Sequence, residues 1–307
     1  MSDFVSYEAE LPDLEDPLLL AAFGGAWGTS AAFALRKLAE RWETTSLAEI
    51  DPQCFYDFGV QRPLVRVDDG ERKLEWARNE FLLARPKGAR RNLVLLIGAE
   101  PQLRWGKFVE AITTAMERLG VKDSLILGAY RAATPHSRPL PVQLYSSNDE
   151  LAEQFGLVPE QWSYEGPTGI TTPLSIACEQ RGWSSSSLMI AAPFYVSVEP
   201  HPFAARALIQ TLSRGLGFEF DVSGLDEQIH SLCEEAEDAR VDSEPFSQFI
   251  ANLEQEYDDS LPALNLVDTP AVMPAPELLE DVESFLRKTR DAGDHGSPSS
   301  GMTSGSP

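Results

Sequence analysis

Two hydrophobic periods alternate along this chain. Short apolar runs recur at 18–23 (LLLAAF), 93–97 (LVLLI), 124–130 (SLILGAY) and 187–192 (SLMIAA). Runs of this length, apolar at successive positions and bounded by glycine or proline, are the pattern of strands buried on both faces of a parallel sheet. After each of three of these strands the spacing lengthens to that of a helix with one apolar face. Ala31, Ala34, Leu35, Leu38 and Trp42 follow the first strand, and Trp105, Phe108, Val109, Ile112, Met116 and Leu119 follow the second. Ala204, Leu208, Leu212 and Leu216 follow the last. Strand, tight turn and helix are half of a βαβ unit, so the repeat predicts an α/β fold. The run Leu93 to Ile97 is predicted at the centre of the parallel sheet. Gly98 is expected to turn the chain, with Glu100 just past the strand's carboxyl end, where open α/β sheets meet their ligands.

The remaining patterns fill in neighbours. Residues 47–50 and 142–145 read as short strands, and 148–155, 171–181 and 201–214 as helices. Residues 55–86 carry Asp-Gly between alternating apolar positions, a hairpin signal; strands near 63–67, 72–76 and 80–84 are expected to form an antiparallel edge of the sheet. From 219 the period is only helical. One stripe is Leu225, Ile229, Leu232, Cys233 and Ala236, a second Phe246, Phe249, Ile250, Leu253 and Tyr257, and a third Leu278, Leu279, Val282, Phe285 and Leu286. Pro262, Pro270, Pro274 and Pro276 are expected to break the chain between the last two. The predicted organisation is an irregular acidic lead-in (1–16), an α/β/α core domain (17–220), a small acidic all-helical domain (221–291) and a disordered tail (292–307), whose small polar residues cannot offset the entropy of ordering.

Charge narrows the function classes. The formal net charge is −23 over 307 residues, and 219–291 holds 20 Asp and Glu against 4 Lys and Arg. Nucleic acid and anionic membranes both call for a basic face, so neither is an expected partner. No apolar run reaches the roughly 18 residues of a membrane span, and the acidic start lacks the basic region of a signal peptide. Cys54, Cys178 and Cys233 are odd in number and far apart, which predicts no disulfide framework or zinc site and points to a reducing, cytoplasmic setting.

Residues with chemical potential gather at the predicted strand ends. Gly24, Gly25 and Trp27 close the first strand, but GGAWG lacks the spacing of a dinucleotide-binding loop. Glu100 is an acid/base candidate or the cap of the following turn. Trp105 begins the next helix. His136 and Arg138 either hold an anion, for which arginine offers a planar fork, or pack in a solvated loop. Gly166, Pro167, Thr168 and Gly169 precede a helix, so their amides either cradle a carboxylate or phosphate or form an empty turn. Tyr195 lies past the last strand. The serine run Ser184 to Ser187 lacks a nucleophile elbow, and His201, His230 and His295 lack metal spacing. No cofactor, no metal and no catalytic residue is predicted.

Several motifs stand in order: PLLLAAFGGAW, FYDF, the hairpin ending in LEWARNEF, LLIGAEPQLRW, HSRP, YEGPTGI and MIAAPFY. The series resembles the bacterial branch of the proteasome assembly chaperone 2 family over about residues 16–220. The resemblance implies a three-layer α/β/α fold like that of nucleoside phosphorylases and hydrolases. It also implies an oligomeric, chaperone-like protein with proteasome-related partners. Some proteasome-binding relatives end in a hydrophobic residue, tyrosine and any residue; this chain ends Gly305-Ser306-Pro307, so docking by such a tail is not expected. Two readings follow. One is a non-catalytic oligomeric scaffold or chaperone-like protein. The other is a hydrolase or transferase for a small anionic or nucleoside-like substrate, built on Glu100, Arg138 and Gly166 to Gly169.

Overall fold

In the computed structural model, residues 4–25, 29–146 and 148–264 are described, with side chains through 260. The chain divides into a unit over 1–270 and a second over 271–307, which lies outside the described residues, as do the predicted third helical stripe and the tail. The first half supplies β1 (Val5–Tyr7), β2 (Leu18–Gly24), α1 (Thr29–Arg41), β3 (Thr44–Ile50), β4 (Leu64–Asp68), β5 (Glu71–Glu75), β6 (Asn79–Ala84), β7 (Leu93–Ala99) and α2 (Trp105–Arg118). Then come β8 (Asp123–Ala132), β9 (Val142–Ser146), α3 (Asp149–Phe155), α4 (Thr171–Glu179), β10 (Ser184–Pro193), α5 (Pro202–Leu216), α6 (Ser223–Asp242) and α7 (Glu244–Leu264).

Eight strands form one mixed sheet in the order β1-β3-β6-β7-β2-β8-β10-β9. β7, β2, β8 and β10 run parallel; β6, β3, β1 and β9 complete the sheet antiparallel to their neighbours. β7 therefore lies where the parallel block meets the antiparallel strands, not inside an all-parallel centre. The cause is the short link from β6 to β7, residues 85–92, because a parallel pairing needs a crossover of about a dozen residues or more. A second correction concerns the hairpin: β4 and β5 form a separate two-stranded sheet, and only β6 joins the main one. The acidic lead-in is not irregular throughout, since Val5 to Tyr7 pair with Ile50 to Ala48 and the Val5 side chain is buried.

Alternation along β2 divides the core in two. Leu18, Leu20 and Ala22 face a cluster with α1, α3 and α5, while Leu19, Ala21 and Phe23 face one with α2 and α4. Helices thus cover both faces of the sheet. The helix after β2 buries Ala31, Ala34, Leu35 and Leu38, and the helix after β7 buries Phe108, Val109, Ile112 and Met116. α6 packs on α5 and on α7, and the α7 side chains Phe246, Ile250 and Leu253 are buried. α7 continues through position 262, where a break was expected.

Gly98 does not turn the chain. It lies within β7, opposite Phe23, and its reason is space. A Cβ on Gly98 would stand 1.7 Å from Asn79 Oδ1. Asn79 is fully buried and donates through Nδ2 to the Tyr56 hydroxyl, which donates to Ala99 O at 2.6 Å. The amide thus ties the segment before the β4–β5 hairpin to the end of β7. His201 is a second buried tie. Its backbone N–H donates to Ser30 Oγ at 2.9 Å, and Nε2 donates to Pro193 O at 3.3 Å. Nδ1 is left unprotonated, buried and without a hydrogen-bond partner among the described residues.

Two outcomes follow from these contacts. Leu95→Ala, which empties a fully buried site in the layer shared with α1, α3 and α5, is expected to lose about 2–5 kcal/mol in chemical denaturation. Gly98→Ala is expected to lose at least ~1–3 kcal/mol, because the Asn79 amide cannot move without breaking its chain of hydrogen bonds. A Gly98→Ala protein as stable as the wild type would contradict that placement of Asn79. Burial, and secondarily Arg131, pushes the His201 pKa down to about 4, while the Pro193 carbonyl pulls it up. The folded state therefore binds its proton later than the unfolded state, for which about 6.5 is usual. Stability from neutral His201 is complete above about pH 6.5 and falls as the pH drops toward 4. Between pH 7 and pH 5 the wild type should lose about 2 kcal/mol more than His201→Gln, at about 1.4 kcal/mol per pH unit; parallel pH profiles would contradict this.

Candidate functional site

The carboxyl ends of β2 and β7 close on one carboxylate. Glu100 follows β7, and its backbone N–H donates to Gly24 O at 2.7 Å. Its side chain reaches toward the start of α4, where Oε1 accepts the Ile170 N–H at 2.8 Å. Two glycines leave room for it: a Cβ on Gly25 would lie 3.1 Å from Oε2, and one on Gly169 would lie 2.9 Å from Oε1. A carboxylate beside the first amides of a helix is favoured by the unpaired N–H groups and by the helix dipole. One amide at the start of α4, that of Ile170, receives an anion, and the anion is the chain's own. Gly166, Pro167 and Thr168 lie in the exposed loop before it. There the Tyr164 hydroxyl donates to Pro167 O at 2.9 Å, and the hydroxyls of Thr168 and Thr172 pair at 2.5 Å.

Trp105 starts α2 half-buried, with Nε1 donating to Pro101 O at 2.7 Å. This bond holds the β7–α2 connection against the helix, and Arg104 enters the helix at φ 55°. Trp27 lies outside the described residues.

His136, Arg138 and Tyr195 belong to another set of contacts. They join the β8–β9 loop and the end of β10 to α7. The Tyr195 hydroxyl accepts the His136 N–H and bonds to its Nδ1, both at 2.7 Å. The Tyr195 ring meets Phe246 and Phe249 edge-on at 6.0 and 5.9 Å. Arg138 forms a fork on Asp258, with Nε to Oδ1 at 2.9 Å and Nη2 to Oδ2 at 2.8 Å. Ser137 Oγ donates to Glu254 at 2.5 Å, and the Tyr257 hydroxyl donates to Pro139 O at 2.8 Å. Burial pushes the His136 pKa down, and nearby Glu237 opposes the shift. Burial pushes the Tyr195 phenol up. The Asp258 carboxylate raises Arg138, and Arg138 in turn lowers Asp258.

The structure therefore places the predicted residues in two groups. Gly24, Gly25, Glu100 and Gly169 touch at one junction, while His136, Arg138 and Tyr195 share contacts with α7. Asp258, Glu254 and Tyr257, the partners of the second group, were not read as site residues. They lie 116 or more positions from Arg138 on an acidic helix face that carries no local signal of a fork. Asn79 and Tyr56 were also missed as a pair, although FYDF and LEWARNEF contain them. Among the described residues no three His, Cys, Asp or Glu side chains stand together as metal ligands.

Comparisons place this geometry among known proteins. No curated protein matches the chain. The PAC2 family profile matches residues 24–240. A PAC2 family protein from Streptomyces avermitilis is 35% identical, with a TM-score of 0.67, over 76% of this chain and 99% of that one. A proteasome-assembly chaperone homologue from Mycobacterium tuberculosis is 33% identical, with a TM-score of 0.65, over 76% and 99% of the two chains. The Pyrococcus furiosus archaeal proteasome activator PbaB shares the fold at 18% identity, with a TM-score of 0.60, over 76% and 97%. With the profile covering most of the sheet and its helices, and two relatives above 30% identity, the chain belongs to the PAC2 family.

Proposed function

We propose that this chain is a non-catalytic protein-binding member of its family, chaperone-like, working as an oligomer of itself with a proteasome-related partner. The observation that carries the reading is the engagement of Glu100. A general acid or base must reach a substrate proton, and here the carboxylate is seated between Gly25 and Gly169 and accepts the Ile170 amide. Arg138, the candidate anion holder, spends its fork on Asp258. The two charged side chains on which a hydrolase or transferase would be built are thus engaged within the fold. Meanwhile the connections at that end expose apolar side chains, Leu103 after β7 and Tyr164 before α4. Exposed aromatic and aliphatic groups of this kind suit a protein surface better than a small anion. The proteasome-related partner rests on the relatives named above.

The test is native mass spectrometry of the full chain with purified proteasome core particles, alongside thermal-shift screening with nucleosides, phosphates and amino acids. The expected result is a complex with the core particle, weakened by Leu103→Glu and Tyr164→Glu, and no stabilisation by the small molecules. Stabilisation by a phosphate or nucleoside that Glu100→Gln abolishes would overturn the reading. Glu100→Gln is expected to cost under about 1 kcal/mol, since an amide oxygen still accepts from Ile170 and only the charge–dipole part is lost. Glu100→Ala leaves that amide unpaired and is expected to cost about 1–3 kcal/mol. Denaturation curves in which both variants match the wild type would show the carboxylate to be free of the fold.

A further inference from the structure

We infer that the β4–β5 hairpin is an arm through which two copies of this chain associate, apolar face against apolar face. The inference rests on the oligomeric part of the reading above and names the surface that part requires.

The hairpin closes on Asp69 and Gly70, with φ of 49° and 81°, the tight turn that matches strand twist. It pairs Leu64 with Glu75 through Asp68 with Glu71 and, among the described residues, joins no other strand. All ten strand residues are exposed. Side chains alternate across the two faces. One face is polar apart from Leu64 at its end, with Arg66 on Glu75 at 3.0 Å and Lys73 on Asp68 at 2.6 Å. The other presents Val65, Val67 and Leu74, at 61%, 70% and 56% exposure, with Arg72 among them. Trp76 continues this face at the hairpin's root, its ring edge-on to Phe58 at 4.7 Å. A free two-stranded hairpin is marginal in water. Here the polar side is laced by ion pairs while the β-branched side is bare, an arrangement that favours a covering surface.

Charge selects the occupant. The chain carries −23, so two copies repel over most of their surfaces. Residues 60–78 hold five Lys and Arg against four Asp and Glu, so the arm is a balanced stretch on an acidic molecule. Like molecules therefore approach there without the repulsion that opposes contact elsewhere. A two-fold axis sets the same patch against itself, which satisfies an apolar strip with no second kind of surface. The strip alone is smaller than the roughly 1,200–2,000 Å² of a stable interface, so pairing through it should depend on concentration.

Sedimentation velocity on the full chain over a concentration series tests the inference. The wild type should show a concentration-dependent mass above that of a monomer. Val67→Glu with Leu74→Glu should raise the dissociation constant at least tenfold at unchanged melting temperature. Val241→Glu, at an 86% exposed site on α6, should leave it unchanged. Val67→Cys should form a self-disulfide under mild oxidation, and Val241→Cys should not. A wild type that stays monomeric at every concentration would overturn both the arm and the oligomeric reading. An oligomer indifferent to the double substitution, or a Val67→Cys chain that does not cross-link, would overturn the arm alone.

Discussion

The parallel pairing of β2 with β7, from Leu18 opposite Leu93 to Gly24 opposite Ala99, is the contact against which the other elements are placed. Successive residues of each strand feed opposite faces, so every position along them is committed to one helix layer or the other. The register also brings the two strand ends level. Because Gly24 O receives the Glu100 N–H, the carboxylate starts from a determined place, and Gly25 and Gly169 leave it one slot to enter. The start of α4, 70 residues further along the chain, is thereby joined to the end of β7. Asn79 over Gly98 makes a similar closure from the antiparallel side, binding the segment before the hairpin to the same strand end.

A second consequence concerns where charge is used. The sequence is strongly acidic, yet Arg138 of the β8–β9 loop and two carboxylates of α7, Glu254 and Asp258, are matched to one another. Arg138 forks on Asp258 while Glu254 takes Ser137 and lies near Arg240. α7 also lays Phe246 and Phe249 on Tyr195 and Phe194, so the helix covers aromatic surface that β10 would otherwise present to water. The Ile170 amide and the Arg138 guanidinium are thus both engaged from within the chain. Of the large apolar side chains exposed on the described surface, five lie on the hairpin and at its root: Leu64, Val65, Val67, Leu74 and Trp76.

Much of this architecture was legible in the sequence because it depends on period. The runs at 18–23, 93–97, 124–130 and 187–192 are strands, and the helices after the first, second and last have the faces their spacing implied. Strand direction was less legible. Whether β6 pairs parallel or antiparallel with β7 depends on the length of the link between them, and the hairpin signal at Asp69-Gly70 does not say which sheet the hairpin joins. Gly98 was misread because a glycine at a strand end suggests a turn, while its actual reason, the Asn79 side chain, comes from another strand. The site was half legible. Position past a strand end singled out Glu100, and Gly166 to Gly169 suggested either a cradle for a carboxylate or phosphate or an empty turn. That Glu100 takes the Ile170 amide beside Gly169, and that Arg138 and His136 turn instead to α7, are tertiary facts with no local trace in the chain.

The central claim is that the Glu100 carboxylate is an internal partner of α4 and not a free group in a cleft. Amide hydrogen exchange at Ile170, read residue by residue in the wild type and in Glu100→Ala, tests it most directly. The account predicts a protected Ile170 amide in the wild type. Its exchange should accelerate at least tenfold in the variant, with the amides of Leu95 and Leu96 unchanged. An Ile170 amide that exchanges freely in the wild type, or that is equally protected in both proteins, would contradict the account.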